Sequence, residues 1–71
     1  MSNEIVAEMV ANVWRILVGV GDDVTQGDTI CILESMKMEI PVEATAAGVV
    51  SRLNVAEGET VQEGDVIAVI E

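Results

Sequence analysis

Gly21-Asp22-Asp23-Val24-Thr25-Gln26-Gly27-Asp28 returns, 37 residues further on, as Gly58-Glu59-Thr60-Val61-Gln62-Glu63-Gly64-Asp65. In both stretches glycine supplies the positive φ of a tight turn and the aspartate side chain bonds neighbouring backbone. Working outward from these loops, residues 5–34 lie over residues 42–71 with 10 identities in 30 positions: Ala7/Ala44, Val13/Val50, Arg15/Arg52, Val18/Val55, Gly21/Gly58, Val24/Val61, Gly27/Gly64, Asp28/Asp65, Ile30/Ile67 and Glu34/Glu71. The chain is therefore an internal duplication, with repeats 5–34 and 42–71 and a connector 35–41, inside one domain spanning residues 1–71. Residues 12–18 and 29–33 of the first copy, like 48–55 and 66–70 of the second, are rich in branched side chains that suit a pleated surface, and each is predicted as a strand. Helical periodicity is weak throughout. All-β character with closely spaced turns predicts a small sandwich or barrel.

Composition narrows the function classes. A domain of 71 residues buries only about 60% of its unfolded surface, so its stability rests on efficient apolar packing. The single cysteine excludes an internal disulfide, and without histidine or a cysteine pair a structural zinc site is not expected. The loop aspartates fit no EF-hand spacing and recur as turns in both copies, so no metal is expected there either. No apolar run approaches the roughly 18 residues of a membrane span, and the N-terminus lacks a basic segment followed by an apolar one; a soluble, cytoplasmic protein is expected. A net charge of −10 would repel nucleic acid and anionic lipid. With no histidine and no nucleophile set beside a base, the chain lacks the constellation of an enzyme site. Cys31 aligns with Ala68 and is expected to be a small buried residue. Arg15 and Arg52 are repeat mates, expected to pair with nearby carboxylates on the solvent face. Trp14, the only aromatic residue, aligns with Ser51; its side chain either fills the core or marks a contact surface.

The connector carries the other informative stretch, Glu34-Ser35-Met36-Lys37-Met38-Glu39-Ile40. Lys37 is the only lysine, and with Arg15 and Arg52 it faces 13 acidic residues. In a sheet fold the stretch predicts a hairpin, residues 30–35 up and 38–42 down, with Met36 and Lys37 at the tip. A two-residue hairpin turn ordinarily wants Asn-Gly or a similar pair. Here local turn chemistry has been overridden, as happens where function dictates the residue. Strand neighbours alternate faces, so Met36 and Met38 cannot both be core residues. The amine belongs to neither repeat and occurs at a position that exists once in a fold of two equivalent halves, which suits covalent attachment of a cofactor.

Met36-Lys37-Met38 within this framework resembles the biotinyl/lipoyl attachment domain family, and the resemblance covers nearly the whole chain, most closely to stand-alone, biotin carboxyl carrier-like members. It implies a flattened β-barrel or sandwich of two four-stranded antiparallel sheets with quasi-two-fold symmetry, a barrel-sandwich hybrid with the attachment lysine at a hairpin tip. It implies that Lys37 receives biotin as an amide from biotin protein ligase and that Met36 and Met38 serve as flanking recognition residues. The biotin would then carry a carboxyl group between biotin carboxylase and carboxyltransferase sites. The chain would thus be a carrier and not an enzyme, and a monomer is expected. Glu34 and Gly48 match framework positions of the family. Lipoyl domains share the fold, so a lipoyl carrier modified on Lys37 by a lipoyl ligase is the alternative, although such domains usually have Asp where this chain has Met36. An unmodified interaction module is a third possibility. Family members often open with Ala-Pro-Met-x-Gly; this chain has Ala7-Glu8-Met9-Val10-Ala11, and Asn12 is expected to take over the positive φ of the missing glycine. No protruding insertion of the kind found in some bacterial carriers is present.

Overall fold

A computed structural model describes residues 2–71. Eight strands make up the regular structure: β1 (Asn3–Val6), β2 (Ala11–Ile16), β3 (Asp23–Val24), β4 (Thr29–Ser35), β5 (Met38–Glu43), β6 (Gly48–Leu53), β7 (Thr60–Val61) and β8 (Val66–Ile70). They form two four-stranded antiparallel sheets, ordered β1-β8-β6-β3 and β5-β4-β2-β7. The sandwich predicted from the turn spacing is the observed architecture.

The duplication is written into the topology. Shifting β2 and β3 by 37 residues lands on β6 and β7, and the same shift carries β1 into β5 and β4 onto β8. Each sheet takes two strands from each copy, so the halves are interleaved and neither contains a complete sheet. The hydrogen bonds that tie the loops down repeat in the same way. Gly27 N–H donates to the Ala44 carbonyl at 2.9 Å, and its mate Gly64 donates to Ala7 at 2.8 Å. Ala44 and Ala7 donate in return to the carbonyls of Asp28 and Asp65, both at 2.8 Å. Inside the loops the carboxylate of Asp28 accepts from Thr25 N–H at 2.9 Å, and that of Asp65 from Gln62 N–H at 2.8 Å. These are the aspartate turns expected from the repeated motif, with the glycines at φ 95° and 89°.

Two short strands, β3 and β7, lie within the stretches predicted only as turns. The central Val24 and Val61 of those loops are buried, and burying them brings the flanking backbone against β6 and β2. β1 was not among the predicted strands either; its mate in the second copy is the β5 segment of the connector hairpin.

The core is aliphatic. Ile30, Leu33, Ile67 and Ile70 from β4 and β8 pack with Val13 and Val50 from β2 and β6, with Val24 and Val61 closing the edges. Each such side chain contributes about 1.5–3 kcal/mol when taken fully from water. No buried side-chain nitrogen or oxygen among the described residues lacks a hydrogen-bond partner. Cys31 is fully buried, as expected of the mate of Ala68, and loss of water around it pushes its thiol up to about 11, so it stays a neutral, unreactive thiol near neutral pH.

Candidate cofactor-attachment site

The connector folds as the predicted hairpin. β4 and β5 pair from Thr29↔Glu43 to Ser35↔Met38, leaving Met36 and Lys37 as a two-residue loop. Both have positive φ, 53° and 66°. That is the type I′ geometry whose twist matches the flanking strands, and it is normally filled by Asn-Gly because side chains with a Cβ resist it. These two are also the only non-glycine residues with positive φ among the described residues. The backbone cost is thus concentrated at the one lysine and its neighbour.

The strands beneath the loop supply the rigidity that holds it. Leu33, opposite Ile40, is buried in the core, while Ile40 and Val42 pack against the same cluster from β5. Pro41 sits in β5, an edge strand, where its missing N–H interrupts no ladder. Above this base the tip projects: Met36 is 91% exposed, Met38 65%, and Lys37 is exposed. Neither methionine has a core role. Large unbranched apolar side chains held in water on both sides of an amine form a small contact surface that another protein can cover. Behind the tip, Glu34 faces Glu39 across the strands on the solvent side of the sheet.

Other expected residues fall away from the tip. Asn12 is in β2, has no positive φ, and accepts at its side-chain oxygen from the Thr60 hydroxyl at 2.8 Å. The expectation that it replaces the family's glycine is therefore corrected: Ala11 occupies the strand start as a buried residue and needs no special φ. Arg15 was expected to pair with a carboxylate; its guanidinium instead lies 5.1 Å from the Trp14 ring centre. Trp14 itself is 43% exposed, which decides between the two roles left open for it: it does not fill the core. The feature that sequence reasoning did not resolve is signalled by the repeat, since Trp14 breaks the pairing with Ser51. A cleft of about 240 Å³ opens between β1 and β5, with Ile5, Leu33, Ile40 and Val42 in its lining and Glu4 and Glu8 beside them. Among the described residues no group of three or more His, Cys, Asp or Glu side chains is placed to hold a metal.

A chain that presents its only lysine on an exposed turn of unfavourable backbone geometry suits a carrier. Comparison with known proteins gives the same class. The family model described as "Biotin-requiring enzyme", covering biotin and lipoyl attachment domains, matches residues 1–70. The biotinylated protein TB7.3 homolog of Mycobacterium leprae is 50% identical over 70 residues, which are 99% of each chain. The biotin/lipoyl attachment protein of Bacillus subtilis is 45% identical over 60 residues, 84% of this chain and 82% of that one. Among solved structures, the urea carboxylase of Kluyveromyces lactis superposes with a TM-score of 0.93 at 35% identity, covering all of this chain and 6% of that much longer one. The chain belongs to the biotin/lipoyl attachment domain family.

Proposed function

We propose that residues 1–71 act as a single biotin carrier domain, with Lys37 as the residue that biotin protein ligase modifies. The supporting observation is the hairpin tip: the only lysine of the chain stands exposed between two exposed methionines on a turn whose conformation neither residue favours. Acylation joins the Lys37 Nζ to the acyl carbon of biotinyl-AMP; AMP leaves and the ammonium gives up its proton. An ammonium has no lone pair to attack with, so in this reading the ligase supplies the base. Met36 and Met38 are the side chains that the ligase reads, since they flank the amine and stand largely exposed.

The group bound to Lys37 supplies a ureido nitrogen that accepts and releases a carboxyl group. The protein contributes presentation. β4 and β5 hold the tip rigid, the exposed methionines allow entry into a partner's active site, and the missing catalytic groups leave the chemistry to biotin carboxylase and carboxyltransferase partners. Among the described residues no helix is long and apolar enough to cross a membrane. Lipoate on the same lysine is the second reading, favoured only by the family's breadth and by the name of the Bacillus subtilis relative.

Intact mass is the test. After incubation with biotin protein ligase, ATP and biotin, the protein is expected to gain one biotin less one water, and Lys37→Arg to gain nothing. Lipoate with lipoyl ligase is expected to leave the mass unchanged. A biotin adduct that persists in Lys37→Arg, or modification by lipoate alone, overturns the assignment.

A further inference from the structure

The duplicated fold provides its own control for surface residues, because each position of residues 5–34 has an equivalent in residues 42–71. At one pair of positions the two sheets differ sharply. β2 bulges between Val13 and Arg15, and β6 bulges between Val50 and Arg52, so Trp14 and Ser51 are the extra residues of equivalent bulges. Ser51 is half-buried and its hydroxyl donates to the Val69 carbonyl at 3.2 Å, which is a self-contained structural role. Trp14 makes no hydrogen bond of that kind and leaves 43% of the largest side chain in the protein in water. The fold needs nothing larger than serine at this bulge, so the indole is present for another reason.

Its surroundings describe a contact surface. Val13 is buried, and strand alternation therefore turns Trp14 to the outer face of the sheet that carries the hairpin. Arg15, at the same bulge, stacks on the ring and restrains it. Ile32 of β4 is opposite Arg15, and Glu34 and Glu39 continue the same face toward the tip. Glu57 adds a further carboxylate near the bulge, its side chain accepting from Ile16 N–H at 3.0 Å. A pre-ordered tryptophan in an apolar and acidic setting is the residue type and context that anchors protein interfaces.

Resting on the carrier reading above, we propose that the outer face of the β5-β4-β2-β7 sheet, centred on Trp14, is the surface by which this domain docks on the enzyme that carboxylates it. The occupant is a protein surface with an apolar pocket for the indole and a basic rim for Glu34, Glu39 and Glu57. Charge favours the carboxylating partner. That enzyme binds ATP and bicarbonate, both anions, so a positive potential around its active-site mouth is part of this proposal. The carrier has a net charge of −10, and acylation of Lys37 makes it −11 by removing the one lysine charge. Docking on this face brings the tip alongside the enzyme without engaging the amine itself.

The experiment uses the full biotinylated chain as substrate for a biotin carboxylase that turns over the wild type, with ADP release followed against carrier concentration. Trp14→Ser, which copies the other sheet, is expected to raise KM about tenfold or more with kcat within about twofold. Ser51→Trp, which adds an indole to the wrong face, is expected to leave KM unchanged. The Lys37→Arg chain is expected to compete with the biotinylated wild type, and Lys37→Arg combined with Trp14→Ser to compete about tenfold less well. If Trp14→Ser melts earlier in urea, Trp14→Lys provides the second variant, with a larger KM effect expected because it meets a basic rim. An unchanged KM in both variants, or a loss confined to kcat, overturns the docking face while leaving the carrier reading intact. Failure of the wild type to accept biotin by intact mass instead overturns the carrier reading.

Discussion

Met36 and Lys37 hold left-handed backbone angles with nothing in their side chains to compensate for them. Each costs about 1 kcal/mol or more relative to glycine or asparagine. Replacing the pair by Asn-Gly is therefore expected to raise the urea midpoint, corresponding to a gain of about 1–2 kcal/mol, while abolishing biotin acceptance; an unchanged or lowered midpoint would show that the turn is not strained. Met36→Leu and Met38→Leu, volume-conserving changes at exposed sites, are expected to move stability by less than about 1 kcal/mol, with their effect falling on the rate of modification. At this scale the sequence was informative where chemistry is scarce. A lone lysine between methionines stands out against 13 acidic residues. Trp14 was not resolved, because a single aromatic residue in a strand suits an inner or an outer face equally, and the bulge that turns it outward depends on register.

Among the strands, β6 shows how nearly equivalent positions diverge. Gly48 aligns with Ala11, yet a Cβ at Gly48 would lie 2.5 Å from the Glu71 carbonyl oxygen and 2.9 Å from the Ile70 Cγ2. The obstacle is backbone that pairs with β6 through Val49 in both directions, so it cannot move aside without breaking the ladder. Gly48→Ala is expected to cost about 1–3 kcal/mol in chemical denaturation, whereas Ala11→Gly costs about 1 kcal/mol from flexibility alone. Equal effects would mean that the chain shifts to accept the methyl group. The longer strands and the hairpin were readable from branched residues and turn signals. β3 and β7 were not, since two residues inside a Gly-Asp loop carry no periodicity and pair only because Val24 and Val61 are drawn into the core. β1 was hidden likewise: its partner is β8, at the far end of the chain, and no local pattern announces so distant a neighbour.

The molecule as a whole is made from two halves, neither of which contains a complete sheet. Since each sheet takes strands from both copies, a fragment of either copy exposes apolar faces with no partner. Residues 1–36 and 37–71, prepared separately, are expected to show no sheet signal by circular dichroism and to regain it when mixed at equal concentration. A fragment that folds by itself would contradict the interleaving. The strand ends have a geometric consequence of their own. Asn3 pairs with Ile70, and the short link from Ala44 to Gly48 carries the chain from the base of the hairpin to that same end, so residues 3 and 70 lie at the opposite pole of a molecule 33 Å long from Lys37. Whatever the chain is moored to through either end, whether a bead, a sensor surface or a neighbouring polypeptide, the amine faces outward, away from the mooring and toward the visitor.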